Sequence, residues 1–181
     1  MIKTYGYTDN TQLSPHFNAQ EFRCKCGKAH DFQIDDDLIT KLEALFSKLN
    51  CSKIIVTSGF RCSAHDKAVK GSGTGQHTCG KAADICCYGQ DGQPISSKTV
   101  CCKAQDTGFT GIANITAAYI YTHVDVRSGR KWYGDEVHGN SSVTDNFYKY
   151  FGGEDMKGID VSVHNGKIDW QKVKADGIDF A

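Results

Sequence analysis

Excess charge is the first thing this chain lacks. Its 21 basic residues are matched by 21 acidic ones, which leaves no basic field for a nucleic acid or an anionic membrane surface. Long uncharged apolar runs are also missing, so no segment reads as a membrane span and no membrane insertion is expected. The opening residues Met1-Ile2-Lys3-Thr4-Tyr5-Gly6 lack the apolar centre of a signal peptide. A product made in the cytoplasm and acting outside it is therefore expected to leave by lysis, a holin-like pore or another non-classical route. The glycines of Gly71-Ser72-Gly73-Thr74-Gly75 are not succeeded by the Lys-Ser or Lys-Thr of a phosphate loop, so they read as a flexible approach to His77.

Cysteine, by contrast, is abundant. There are nine cysteines, an odd number, and Cys86-Cys87 and Cys101-Cys102 are adjacent. Vicinal cysteines bridge each other poorly, so any disulfide would join separate clusters, such as Cys51 to Cys62. Without an export signal, small buried hydrophobes and free thiols are the favoured reading. Cys24-x-Cys26 raises a structural zinc, but it lacks the second matching pair by which such sites are recognised. At 181 residues the chain has room for one domain with a real core and at most a fragment of another.

Taken in order, Asn18 and Glu21 have capping-box spacing, which predicts a short helical turn carrying Phe22 inward. Cys24 to His30 reads as a loop. Asp35 to Asp37 predict a helix start, because acids are favoured at the amino-terminal end of the dipole. Leu38, Ile39, Leu42, Leu45, Phe46 and Leu49 then repeat at three and four, one core-facing stripe. Lys53 to Gly59 is a β-branched run that predicts a buried strand delivering Phe60-Arg61 to a sheet edge. Further strands are expected near Ile85 to Tyr88 and at the end of Ala117 to Val126, with a helix over Ser96 to Asp106 facing Val100 and Ala104 inward.

The stretch Gly75-Gln76-His77-Thr78-Cys79-Gly80-Lys81-Ala82-Ala83-Asp84-Ile85 organises these pieces. It offers an imidazole and a carboxylate that converge only if the chain doubles back, and Gly80 permits the turn. A catalytic zinc needs three protein ligands and an open position. The third donor must come from elsewhere, and His123 in Tyr121-Thr122-His123-Val124-Asp125-Val126 is the best candidate. Strand alternation puts His123 and Asp125 on one face. Arg61, at the mouth of a strand, can present a fork of donors to a carboxylate or oxyanion. A cysteine mechanism would draw on Cys79 and His65. The remaining histidines, His16, His30, His138 and His164, read as surface or capping residues, and Trp132 and Tyr133 as a packing lid over the last strand, with a groove wall as the alternative.

Together, Ser58-Gly59-Phe60-Arg61, then Gln76-His77-x-x-Gly80-x-Ala82-x-Asp84-Ile85, then His123-Val124-Asp125-Val126-Arg127 resemble the zinc D-alanyl-D-alanine carboxypeptidases of metallopeptidase family 15. The wider group holds murein endopeptidases and the amino-terminal hedgehog domain. The resemblance spans Leu13 to Trp132. It implies an α+β fold, with a small antiparallel sheet and flanking helices around one Zn2+ held by His77, Asp84 and His123. Arg61, with Gln76 beside the first ligand, would meet the substrate. Many members carry their general base three residues before the last zinc histidine, a position that is Ile120 here. The His-x-Asp arrangement makes Asp125 the expected base, with an orienting role for Asp125 as the alternative. The implied activity is hydrolysis of peptide bonds in peptidoglycan stems or cross-links, as carboxypeptidase or endopeptidase, in a lysin or autolysin. A non-catalytic zinc-containing wall-binding module is the alternative.

The composition turns polar after His138. Residues 1–138 are expected to form the peptidase domain, 139–155 a linker, and 156–181 a separate unit. In that unit Gly158-Ile159-Asp160-Val161-Ser162 and Gly166-Lys167-Ile168-Asp169-Trp170 resemble the opening of a glycoside hydrolase family 25 muramidase. Asp160 would match an active-site aspartate there, in a truncated barrel lacking its catalytic pair. The alternative function is then part of a bifunctional peptidase and muramidase.

Overall fold

Asp35 caps the main helix. Its side chain accepts the Asp37 backbone N–H, and α1 runs over Asp36–Lys48 with acids in its first turn and Lys48 in its last, the arrangement the helix dipole favours. Leu38, Leu42 and Leu45 of this helix are fully buried, each contributing about 1.5–3 kcal/mol through the apolar surface it removes from water. Phe46 and Leu49 complete the stripe at the edge of the same core. The structure, a computed structural model, describes residues 1–138, 144–151, 157–158 and 178–180.

In front of the helix lie strands β1 (Ile2–Tyr5), β2 (Gln12–Ser14), β3 (Phe17–Asn18) and β4 (Phe32–Asp35). β1 pairs antiparallel with β4, and β2 with β3, so the ordered chain begins well before Leu13. The capping box at Asn18 and Glu21 is present and starts a single 3-10 turn, Ala19–Phe22, that buries Phe22. After α1 come β5 (Lys53–Ser58), α2 (Ser63–Ala68), β6 (Ala82–Tyr88), α3 (Ser97–Asp106), β7 (Gly111–Asn114), β8 (Thr122–Asp125) and β9 (Trp132–Asp135).

These later strands form one five-stranded sheet in the order β5-β6-β8-β7-β9. It is antiparallel except at its last pair, where β7 and β9 run parallel. The chain is thus α+β as expected, but its sheet is mixed. Register matters most for function: Asp84 lies directly opposite His123, and directly opposite residues bring their side chains within about 5 Å of each other. α3 packs over β7 and β8 of the sheet and α1 packs against α3, with Val100, Cys101 and Ala104 in one core with Ile85, Ile112 and Val124.

Within the stretch expected as a linker, residues 144–151 are described and pack on the domain. Phe147–Phe151 forms a short helix, α4, with Phe147 fully buried and its ring 5.0 Å from that of Tyr133. The Phe147 N–H also donates to Gln105 Oε1 of α3 at 2.8 Å. Composition concealed this because a few aromatic residues anchor an otherwise polar segment. Farther on, Lys157–Gly158 and Ile178–Phe180 pair as parallel strands β10 and β11. Asp160 and His164 lie outside the described residues.

Candidate metal centre

Three loops and two strands assemble the site, and glycine makes two of the approaches possible. Beyond β5, a Cβ on Gly59 would lie 2.5 Å from the Phe22 Cα, so only glycine lets the strand exit run against that turn. The Phe60 N–H binds the Phe22 carbonyl at 2.7 Å, and the Gly59 carbonyl is left to accept from His77 Nδ1 at 2.7 Å. His77 sits in a 3-10 turn, Gln76–Cys79, closed by Gly80 in the left-handed conformation at φ 68°. A side chain at Gly80 would also strike the Gln33 carbonyl. The chain then enters β6 and delivers Asp84.

Hydrogen bonding fixes both imidazoles. A carbonyl can only accept, so His77 carries its proton on Nδ1 and turns the Nε2 lone pair toward the centre. His123 Nε2 lies 3.0 Å from Asp125 Oδ2, which turns its Nδ1 inward. The inward atoms converge: His77 Nε2 is 3.2 Å from His123 Nδ1 and 3.3 Å from Asp84 Oδ1, and His123 Nδ1 is 3.0 Å from that same oxygen. Three buried acceptor atoms this close repel unless a cation sits among them, and two imidazoles with one carboxylate are a zinc-type donor set. His77, Asp84 and His123 are all buried and could hold one metal ion.

The charges agree with this. Burial alone would raise the Asp84 carboxyl, but hydrogen bonds and charge from His123 and His77 outweigh it and hold it well below the usual carboxylate range. Burial would lower His123, yet Asp125 and Asp84 push it up to about 9 in the metal-free protein.

Arg61 reaches the centre from the strand exit. One terminal nitrogen binds Asp84 Oδ2, the other lies 3.3 Å from Asp66 Oδ1, and Nε donates to Ser58 Oγ at 2.8 Å. Asp66 is itself buried and accepts the Gly73 N–H at 2.8 Å. A guanidinium has five N–H donors, so the second hydrogen of each terminal nitrogen stays available. Arg61, Gln76, His77, Asp84, His123, Trp132 and Glu136 line a cavity of about 520 Å³.

Asp125 lies behind the ligand His123. Its carboxylate is fully buried behind His123 and does not line the cavity. It accepts the Arg127 backbone N–H at 3.0 Å and the Arg127 side chain at 2.9 Å. Burial would raise this carboxyl, but Arg127 and His123 keep it well below the usual range. A carboxylate so placed faces His123 and Arg127 rather than the cavity, the arrangement that the alternative, orienting role would require. The reason is visible in register: Gly111 lies opposite Asp125, and the missing side chain there makes room for its carboxylate.

Glu136 is the acid sequence reasoning missed. It comes after β9 in a 3-10 turn, is exposed, borders the cavity and forms no ion pair or hydrogen bond among the described residues. No spacing rule points to it, since its place depends on the parallel pairing of β9 with β7. Trp132 also does more than pack. Strand alternation along β9 buries Tyr133 and leaves Trp132 half-buried at the cavity, edge-on to His123 at 5.8 Å and under the Arg127 guanidinium at 4.8 Å. Cys79 and His65 form no hydrogen bond with each other, so no thiol–imidazole pair exists there.

No curated protein matches this chain. The sequence model of the family described as Peptidase M15 matches residues 15–125, more than half of the 181, a span that contains Arg61, His77, Asp84, His123 and Asp125. With that match and the convergence of the three donors, the chain belongs to the peptidase M15 family.

Proposed function

We propose that this peptidase is zinc-dependent and hydrolyses peptide bonds in peptidoglycan stem peptides or cross-links, as a carboxypeptidase or endopeptidase. The carrying observation is the inward convergence of His77 Nε2, His123 Nδ1 and Asp84 Oδ1, with both imidazole tautomers fixed by outer partners. These three atoms would hold the ion. When bound, zinc acidifies water and polarises a carbonyl.

The remaining work falls to this chain's own residues. Glu136, the uncommitted carboxylate at the cavity, accepts the proton of the attacking water and returns it to the leaving amine. Arg61 turns its free N–H groups to the carbonyl oxygen or to a terminal carboxylate of the substrate, where one well-placed donor is worth about 3 kcal/mol. Because Asp84 and Asp66 grip Arg61 from two sides, those donors are held in place before substrate arrives. Gln76 and Trp132 form the walls against which a stem peptide lies.

The test is digestion of purified peptidoglycan, with new amino and carboxyl ends identified by mass spectrometry. New ends that vanish with a chelator and return with zinc are the expected result. Zinc-loaded protein that binds the wall and releases no new ends would overturn the peptidase reading in favour of a binding module.

A further inference from the structure

A second group of metal-ligating side chains lies outside the cavity. We propose that Cys24, Cys26, His30 and Cys62 form a structural zinc site, distinct from the one built on His77 and independent of the catalytic reading. All four residues offer a donor atom within 4.8 Å of each of the others. Tetrahedral zinc, with Zn–S about 2.3 Å and Zn–N about 2.0–2.1 Å, spaces its ligand atoms about 3.5–3.8 Å apart. The cluster therefore needs only a small adjustment to close on an ion.

The hydrogen bonds around the four residues are those of an outer shell. His30 Nδ1 lies 2.8 Å from the Asp31 carbonyl and must donate to it. This fixes the tautomer and leaves the Nε2 lone pair facing Cys26 Sγ at 3.2 Å. Each sulfur accepts a backbone N–H: Cys26 from Lys28 at 3.4 Å, Cys62 from His65 at 3.4 Å and Cys24 from Cys62 at 3.3 Å. Such donors favour sulfur in its charged, metal-binding form. Gly27, at φ 77°, makes the tight turn that lets the Lys28 N–H point back at Cys26.

The other cysteines differ. Cys51, Cys87, Cys101 and Cys102 are buried in the hydrophobic core, where a thiol serves as a small apolar group. All nine are free, including Cys51 and Cys62. His30, expected as a surface or capping residue, is partly exposed and bonds Cys26, and the missing second Cys-x-Cys pair is replaced by Cys62, which the sequence places 36 residues beyond Cys26. Four protein donors leave no open position, so the site is structural in type.

The place of the site gives it a task. Residues 23–31 contain no helix or strand, and the cluster would tie them to the β5 exit. Cys62 directly succeeds Arg61, and Gly59, three residues earlier, holds His77 by its carbonyl. The second ion would thus anchor the segment that positions both Arg61 and a ligand of the first.

Zinc content and zinc-edge X-ray absorption of the intact protein decide the matter. Two ions per chain are expected, with sulfur scattering at about 2.3 Å, which the sulfur-free His77, Asp84 and His123 set cannot supply. His77→Ala should keep one ion, now with three sulfurs and one nitrogen around it, whereas Cys26→Ser should keep one ion with no sulfur. If either variant fails to fold, the wild-type spectrum is sufficient. A single ion without sulfur neighbours in the wild-type protein, or a disulfide joining two of these three cysteines in freshly purified protein, would overturn the proposal. Loss of the sulfur-free ion alone would count against the catalytic site and leave this one standing.

Discussion

The two clusters use the same fold in opposite ways. The His77, Asp84 and His123 group has three donors set on paired strands and a rigid turn, with its remaining side open to a cavity of about 520 Å³. The cysteine group has four donors gathered from loops, each sulfur covered by a backbone N–H. An open three-donor site leaves a position for water and substrate, while a closed four-donor site contributes folding energy. The difference also lies in what holds the ligands. Strand register alone sets Asp84 against His123, whereas residues 23–31 have no such frame and would be tied to the β5 exit by the ion.

The sharpest way to break the comparison is at the acid that only the open site has. Glu136→Gln should lower kcat by about 10²–10⁴-fold, the usual share of general acid–base catalysis, with the zinc content unchanged. Turnover within tenfold of wild type would remove Glu136 from the reaction. A smaller effect is expected behind the ligand. Asp125→Asn loosens the orientation of His123 and leaves Arg127 without its charge partner, which should weaken zinc binding about 10–100-fold. Most activity should return at saturating zinc. Full zinc affinity with collapsed turnover would instead restore Asp125 as the base.

How much of this was legible in the sequence depends on how local each feature is. The α1 stripe, its cap at Asp35 and the capping box at Asn18 are local, and spacing alone located them. His77, Asp84 and His123 could be named because a doubled-back turn and one strand suffice to bring them together. Asp125 was placed beside His123 correctly, but its burial and its bonds to Arg127 arise from the strand on its other side, where Gly111 makes room. Glu136 and Trp132 depend on β9 joining the sheet parallel to β7, a long-range pairing with no short-range signal. Cys62 joins Cys24, Cys26 and His30 only because the β5 exit runs against Phe22, a long-range approach that no close cysteine spacing signals. Phe147 shows the converse, an aromatic anchor within a segment whose average composition reads as a linker.

Acidity separates the two clusters most finely. In the metal-free protein burial would lower His123, but Asp125 and Asp84 hold its value at about 9. The value is raised, so at neutral pH the imidazole carries a proton that an incoming ion must displace. Zinc affinity at the open site should therefore rise with pH, with His123 contributing about tenfold per unit, and level off above about 9. At the cysteine cluster up to three thiols must be deprotonated. Burial pushes Cys24 up to about 11, while the Lys28 N–H brings Cys26 down to about 7, so more than one proton leaves per ion near neutrality and the slope is steeper. Competition against a chromophoric chelator between about pH 6 and 9, on His77→Ala and Cys26→Ser proteins, isolates each slope. Equal slopes would mean that the two groups bind metal through the same proton count, and the contrast between an imidazole–carboxylate centre and a thiolate centre would fail.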